Sequence, residues 1–161
     1  MGKILVIGYG NTMRSDDAVG VHAAHTLEEA FRDEPGVRVI AAHQLTPELV
    51  EEIAEARFVL FLDAAARNRP GEILESLVAP KGGQSSLAHR VTPPALLMAG
   101  EELHGEAPPA ISLTMAGESF EVGPRLSAAI ERRMEEFTAR ASEIVRMWLR
   151  QKTMEKPVRT K

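Results

Sequence analysis

Four side chains that could bind a metal or transfer protons stand at marked positions in this sequence: Asp16, Asp17, Asp63 and His89. Two of the acids follow an apolar run and a glycine-rich turn, and the third ends another apolar run. Carboxylates with one imidazole suit a divalent first-row metal with coordination positions left open for a substrate. The alternative is that Asp16 and Asp17 cap a helix, Asp63 ends a turn and His89 lies on the surface.

The first pair of acids depends on a predicted strand, turn and helix. Residues 4–7 (Ile-Leu-Val-Ile) are continuously apolar, which is typical of a buried strand. Gly8 and Gly10 then allow a sharp turn. Ser15 or Asp16 is predicted to cap the helix that follows. Open α/β sheets bind ligands at the carboxyl ends of their strands, where these acids would lie.

The third acid and the histidine are predicted to reach the same edge of the sheet. Residues 58–62 form an apolar run that ends at Asp63 and predicts a central strand. The next predicted strand, 72–78, follows too soon for a crossover helix and is therefore expected to be antiparallel. The roughly ten residues between Val78 and His89 can span about 30 Å, which is enough to bring His89 back to this edge.

The whole chain predicts an α/β fold, a three-layer α/β/α sandwich with about five mostly parallel strands and one antiparallel strand. Residues 1–150 are expected to form one domain, and residues 151–161 a flexible polar tail. The predicted strands are 4–7, 37–42, 58–62, 72–78 and 109–115. The predicted helices are 18–31, 46–56, 92–104 and a long one that begins at Pro124.

The composition excludes several classes of protein. The 161 residues, 44% of them hydrophobic, fit one globular domain. The absence of cysteine excludes disulfides, thiolate metal sites and a cysteine nucleophile. A formal net charge of −4 gives no reason to expect nucleic acid or a membrane as partner. Since no secretory signal or membrane-spanning run is visible, we expect a cytoplasmic protein. As a separate expectation, the protein is a monomer.

Nucleotide binding is the first rival interpretation. Gly8-Tyr9-Gly10 lacks the third glycine of the dinucleotide fingerprint, and the strand 37–42 ends near His43 without an acid to bind a ribose. The zinc-protease pattern H-E-x-x-H and the serine-hydrolase pattern G-x-S-x-G are also absent.

Four motifs in order resemble those of the hydrogenase maturation endopeptidases. The opening pattern G-x-G-N-x-x-x-x-D-[DE]-x-x-G matches residues 8–20, with Asp17 where some members have Glu and Ala18 at a frequent glycine. The other matches are Phe61-Leu62-Asp63-Ala64, the segment from His89 to Pro93, and residues 117–123 (Gly-Glu-Ser-Phe-Glu-Val-Gly). The resemblance covers nearly the whole chain, from Lys3 to the final helix.

The resemblance implies an activity and a ligand set. Family members remove a short C-terminal extension from the large-subunit precursor of nickel–iron hydrogenases after nickel insertion. Their metal-binding positions correspond to Asp17, Asp63 and His89, although Asp16 remains an alternative to Asp17. The nickel is carried by the substrate, so that no permanent catalytic metal is required. Asp16 is expected to act as general base or to cap its helix.

Two other functions remain open. Peptidyl-tRNA hydrolase has a loosely similar glycine–asparagine opening, but the acidic net charge and the lack of a basic stripe disfavour RNA binding. A nickel-dependent checkpoint protein without peptidase activity would share the same ligands, and a precursor-cleavage assay would distinguish it from an enzyme.

Overall fold

The computed structural model describes residues 2–82 and 90–154, and it contains a five-stranded sheet with helices on both faces. The strands are β1 (Lys3–Tyr9), β2 (Val37–Ala42), β3 (Ala56–Ala65), β4 (Ile73–Val78) and β5 (Ala110–Ala116). The helices are α1 (Val19–Ala30), α2 (Leu49–Ala54), α3 (Pro93–His104), α4 (Ala128–Glu131) and α5 (Met134–Met154), and a 3-10 turn (Ser15–Ala18) precedes α1.

The strand order is β2-β1-β3-β5-β4. The first four strands in this order are parallel, and β4 pairs antiparallel with β5, as the short connection predicts. From β1, the chain first extends the sheet to one side with β2 and then to the other side with β3. The carboxyl ends of β1 and β3 therefore flank the point where the strand order reverses, which is the usual ligand site of open α/β sheets.

Two apolar cores hold the helices against opposite faces of the sheet. On one face, buried residues of α1, α4 and α5 pack against alternate residues of the central strands. On the other face, α2 and α3 pack against the intervening residues, such as Leu5, Ile7 and Phe61. This is the predicted three-layer sandwich. The helix α1 lies very close to the sheet. A side chain at Gly8 of β1 would collide with the backbone of Gly20 in α1, and a side chain at Gly20 would collide with the backbones of β1 and β3.

Three element boundaries differ from the predictions. The helix α2 begins at Leu49 rather than Pro47. The main-chain carbonyls of Thr46 and Pro47 accept hydrogen bonds from the amides of Leu49 and Val50, which forms tight turns at the start of the helix. It ends early because β3 already begins at Ala56, which pairs with Lys3. The long final helix begins at Met134 rather than Pro124, after the separate short helix α4.

The described part of the chain ends within the segment that was expected to be a tail. The helix α5 continues to Met154, beyond the start of the expected tail at residue 151, and residues 155–161 lie outside the described part. Within residues 2–82 and 90–154, no helix combines the length and the apolar character that crossing a membrane requires.

Candidate functional site

A cavity of about 730 Å³ opens at the carboxyl ends of β1, β2 and β3, and we call it the edge cavity. Asp17 and Asp63 both line it, as the sequence predicted from the two strand ends. The cavity is lined by Tyr9, Gly10, Asn11, Arg14, Asp17, His43, Gln44, Leu45, Thr46, Pro47, Asp63, Ala64, Ala66, Arg90, Val91 and Phe120.

Asp17 is held by the loop that connects β1 to α1. Its Oδ2 atom accepts a hydrogen bond from the main-chain amide of Asn11, at 2.7 Å. Gly10, with a φ of 148°, has no room for a side chain because a Cβ atom there would collide with the backbone of Asp17. The glycine therefore allows the loop to fold tightly against Asp17, while the partly buried carboxylate faces the cavity.

Asp63 lies near the end of β3 and is also partly buried. Burial raises the pKa of this carboxyl to about 7, and the negative charge of Asp17 adds to the rise. Hydrogen bonds from the Tyr9 hydroxyl and the Ala64 amide, together with the charge of Arg90, oppose the rise but do not cancel it. The electrostatic influence of Asp17 agrees with the placement of both carboxylates on one cavity.

Tyr9 is a site residue that the sequence analysis did not identify. It is the last residue of β1, and its hydroxyl hydrogen bonds to Asp63. Burial raises the pKa of Tyr9 well above its usual value, and the charge of Asp63 raises it further. The hydroxyl is therefore protonated at neutral pH and acts as a hydrogen-bond donor to Asp63.

Asp16 is fully buried and is not among the residues that line the edge cavity. Its carboxylate accepts four hydrogen bonds from the loop between β5 and α4: from the amides of Glu118 (2.8 Å), Ser119 (3.0 Å) and Ser127 (2.8 Å), and from the Ser127 hydroxyl (2.7 Å). Burial alone would raise the pKa of Asp16, but these hydrogen bonds outweigh it and hold the pKa below its usual value.

The capping role predicted for Asp16 and Ser15 is wrong, because neither the 3-10 turn nor α1 has a side-chain cap. The alternative role of Asp16 as general base stays a prediction. The geometry argues against it, since the carboxylate is engaged by loop donors and is absent from the cavity lining. A structural role is favoured: Asp16 joins the β1–α1 loop to the β5–α4 loop, which carries the cavity residue Phe120.

We expect Asp16→Asn to lower the free energy of unfolding by about 3 kcal/mol, because an amide accepts fewer of these hydrogen bonds and turns an N–H group toward the loop amides. Ser127→Ala, which removes one of the four donors, should cost about 1 kcal/mol. Urea denaturation at pH 7 measures both values. If Asp16→Asn kept full stability but lost activity, Asp16 would be a catalytic group.

His89, the third predicted ligand, lies outside the described residues, so its predicted position remains a prediction. Within residues 2–82 and 90–154, no group of three or more histidine, cysteine, aspartate or glutamate side chains could hold a metal ion. The carboxylates of Asp17 and Asp63 are suitable hard ligands, but they do not by themselves complete a three-ligand site.

The sequence analysis assigned no role to two more polar residues of the cavity. His43 directly follows β2, and Arg90 follows His89. Both are exposed and line the edge cavity. His43 could have been found from its position, because β2 is parallel to β1 and β3 and ends at the same edge. Arg90 and Phe120 reach the cavity from loops, and both lie in segments that match the family motifs, at positions to which the sequence analysis assigned no role.

The three-layer sandwich is the fold of solved proteases of hydrogenase maturation. The chain is similar to the hydrogenase maturating endopeptidase HybD from E. coli, with a TM-score of 0.71 and 22% identity over 90% of this chain and 93% of that one. It is equally similar to the [NiFe] hydrogenase maturation protease HycI from Thermococcus kodakarensis KOD1, with a TM-score of 0.71 and 24% identity over 89% of this chain and 92% of that one.

A third neighbour is an endopeptidase from Escherichia coli, with a TM-score of 0.68 and 22% identity over 90% of this chain and 93% of that one. No protein-family model matches the sequence, and no curated protein matches it. At these identities the comparisons show a common fold over nearly the whole chain.

Proposed function

We propose that this protein is an endopeptidase that removes the C-terminal extension of the large-subunit precursor of a nickel–iron hydrogenase after nickel insertion. One observation carries the proposal: Asp17, in the 3-10 turn that follows β1, and Asp63, near the end of β3, line one cavity at the point where the strand order reverses. The fold is that of solved hydrogenase maturation proteases. The sequence motifs that contain these acids resemble those of the hydrogenase maturation endopeptidase family.

In this proposal, the precursor's nickel ion is part of the substrate. Asp17, Asp63 and His89 bind it when the precursor docks in the edge cavity. Two carboxylates and one imidazole occupy only three coordination positions of the nickel ion. Groups of the precursor can therefore remain bound at the other positions. The protein then recognises the finished metal centre and needs no metal of its own.

Docking at the nickel also positions the scissile peptide bond. Binding in a fixed orientation converts a slow bimolecular hydrolysis into a reaction between groups that are already aligned. The bound metal supplies polarisation of the carbonyl and activation of water. Arg90 and Arg14 add donors to the cavity wall, where they can hydrogen bond to main-chain carbonyls of the precursor.

Incubation of the protein with nickel-loaded precursor tests the proposal, with the intact mass of the large subunit as readout. We expect the mass to fall by that of one C-terminal segment. Leu103→Ala is a matched control, because Leu103 is an exposed residue of α3 that does not line the edge cavity. A precursor that binds the protein but keeps its full mass would contradict the peptidase and indicate a checkpoint protein.

A further inference from the structure

The hydrogen bond between Tyr9 and Asp63 joins a neutral donor to one of the two carboxylates of the edge cavity. Both residues line the cavity, so the bond lies next to the space that the substrate would occupy. None of the motifs that suggested the function assigns a role to Tyr9, which stands between the two glycines of the opening turn.

Two donors fix the orientation of the Asp63 carboxylate. The main-chain amide of Ala64 donates to its Oδ1 atom at 2.7 Å, and the Tyr9 hydroxyl donates to the same carboxylate. An ionised carboxylate has about four acceptor positions on its two oxygens. Acceptor positions therefore remain for a cation after both donors are satisfied.

Tyr9 is itself held by the sheet. It is paired with Ala42 of β2 in the parallel register, and its ring packs against the core between the sheet and α2 and α3. A side chain on a strand in a fixed register is positioned more accurately than one on a loop. The hydroxyl therefore has a defined place relative to Asp63, which lies on the adjacent strand β3.

We propose that Tyr9 is a positioning residue, whose hydroxyl holds the Asp63 carboxylate in the orientation that binds the divalent metal carried by the substrate. This inference rests on the proposed function. Hydrogen-bond partners of metal ligands orient those ligands, and their loss lowers metal affinity or activity by about 10- to 100-fold.

Tyr9→Phe is a sharp test because it removes one oxygen atom and keeps the ring in the core. We expect the KM for nickel-loaded precursor to rise about tenfold or more, with kcat changed less than about twofold, since docking is weakened before any bond is broken. Titration with Ni²⁺ alone should show a comparable loss of affinity. Thr138→Ala is the control, because it removes a hydroxyl on α5 whose hydrogen bonds, among residues 2–82 and 90–154, go to carbonyls of its own helix.

The outcomes separate the role of Tyr9 from the function itself. A merely structural role would reduce the amount of active protein, which lowers kcat and leaves KM and Ni²⁺ affinity unchanged. That result, or kinetics and Ni²⁺ affinity equal to those of Thr138→Ala, would overturn the inference. If the unchanged protein failed to cleave the precursor at all, the proposed function would fail instead.

Discussion

Asp63→Asn should abolish precursor processing. It should also avoid the decrease in the free energy of unfolding that the unchanged protein shows at neutral pH, where Asp63 ionises. The amide is a poor ligand for nickel and carries no charge, so docking of the loaded precursor fails. The substitution keeps the size of the side chain and an oxygen that can accept from Ala64 and Tyr9. Intact mass of the precursor measures processing, and urea denaturation measures stability.

The expected pH dependence follows from the raised pKa of Asp63. Burial raises that pKa from 3.8 to about 7, so the folded state holds its proton more tightly than the unfolded state does. Stability contributed by the protonated acid is therefore present below about pH 4 and is lost as the pH rises to about 7. Each pKa unit corresponds to about 1.4 kcal/mol, which sets an upper limit of about 4 kcal/mol for the loss.

Asp63→Asn cannot titrate, so its stability should fall less than that of the unchanged protein between pH 4 and pH 8. Both proteins are measured in chelator, because a bound metal would favour the charged carboxylate. His89→Ala, the second variant expected to abolish processing, serves as comparison. An Asp63→Asn protein that unfolds at both pH values would show that Asp63 is a structural residue, and processing by a folded variant would exclude it from the site.

The sequence predicted the sheet well because buried parallel strands leave a strong local pattern. The apolar runs 4–7 and 58–62 located β1 and β3, and their ends located Asp17 and Asp63. The short connection after Asp63 predicted the antiparallel β4. The helix predicted over 92–104 matches α3, because the Thr92 side chain accepts a hydrogen bond from the Ala95 amide and Gly105 ends the helix in a left-handed conformation.

The errors arose where distant parts of the chain decide the structure. Asp16 has the local features of a helix cap, but its partners are more than 100 residues away in the β5–α4 loop. Ser127, one of those partners, donates its amide to Asp16, in the segment where a continuous helix from Pro124 was predicted. Tyr9 was overlooked because its partner lies on an adjacent strand, and a one-dimensional pattern does not reveal that pairing.

The second large effect concerns what triggers cleavage: we expect the protein to cut only precursor that already carries nickel. Asp17 and Asp63 line the same cavity, and they offer carboxyl oxygen ligands without a third ligand that would complete a metal-binding group among residues 2–82 and 90–154. Such a site gains most from a metal that arrives with other ligands already attached. Nickel-free precursor lacks this anchor and should keep its C-terminal extension.

The experiment compares nickel-loaded precursor, nickel-free precursor and a free peptide of the cleavage sequence, at equal concentration and with the large subunit or peptide followed by mass. Only the first should be cleaved, because binding energy at the metal aligns the scissile bond and the other two substrates lack it. Asp17→Ala should make the loaded precursor behave like the nickel-free one, since it removes a carboxylate from the cavity. Equal cleavage of loaded and nickel-free precursor, or efficient cleavage of the peptide in chelator, would rule out nickel sensing and indicate an ordinary endopeptidase that reads the peptide sequence instead.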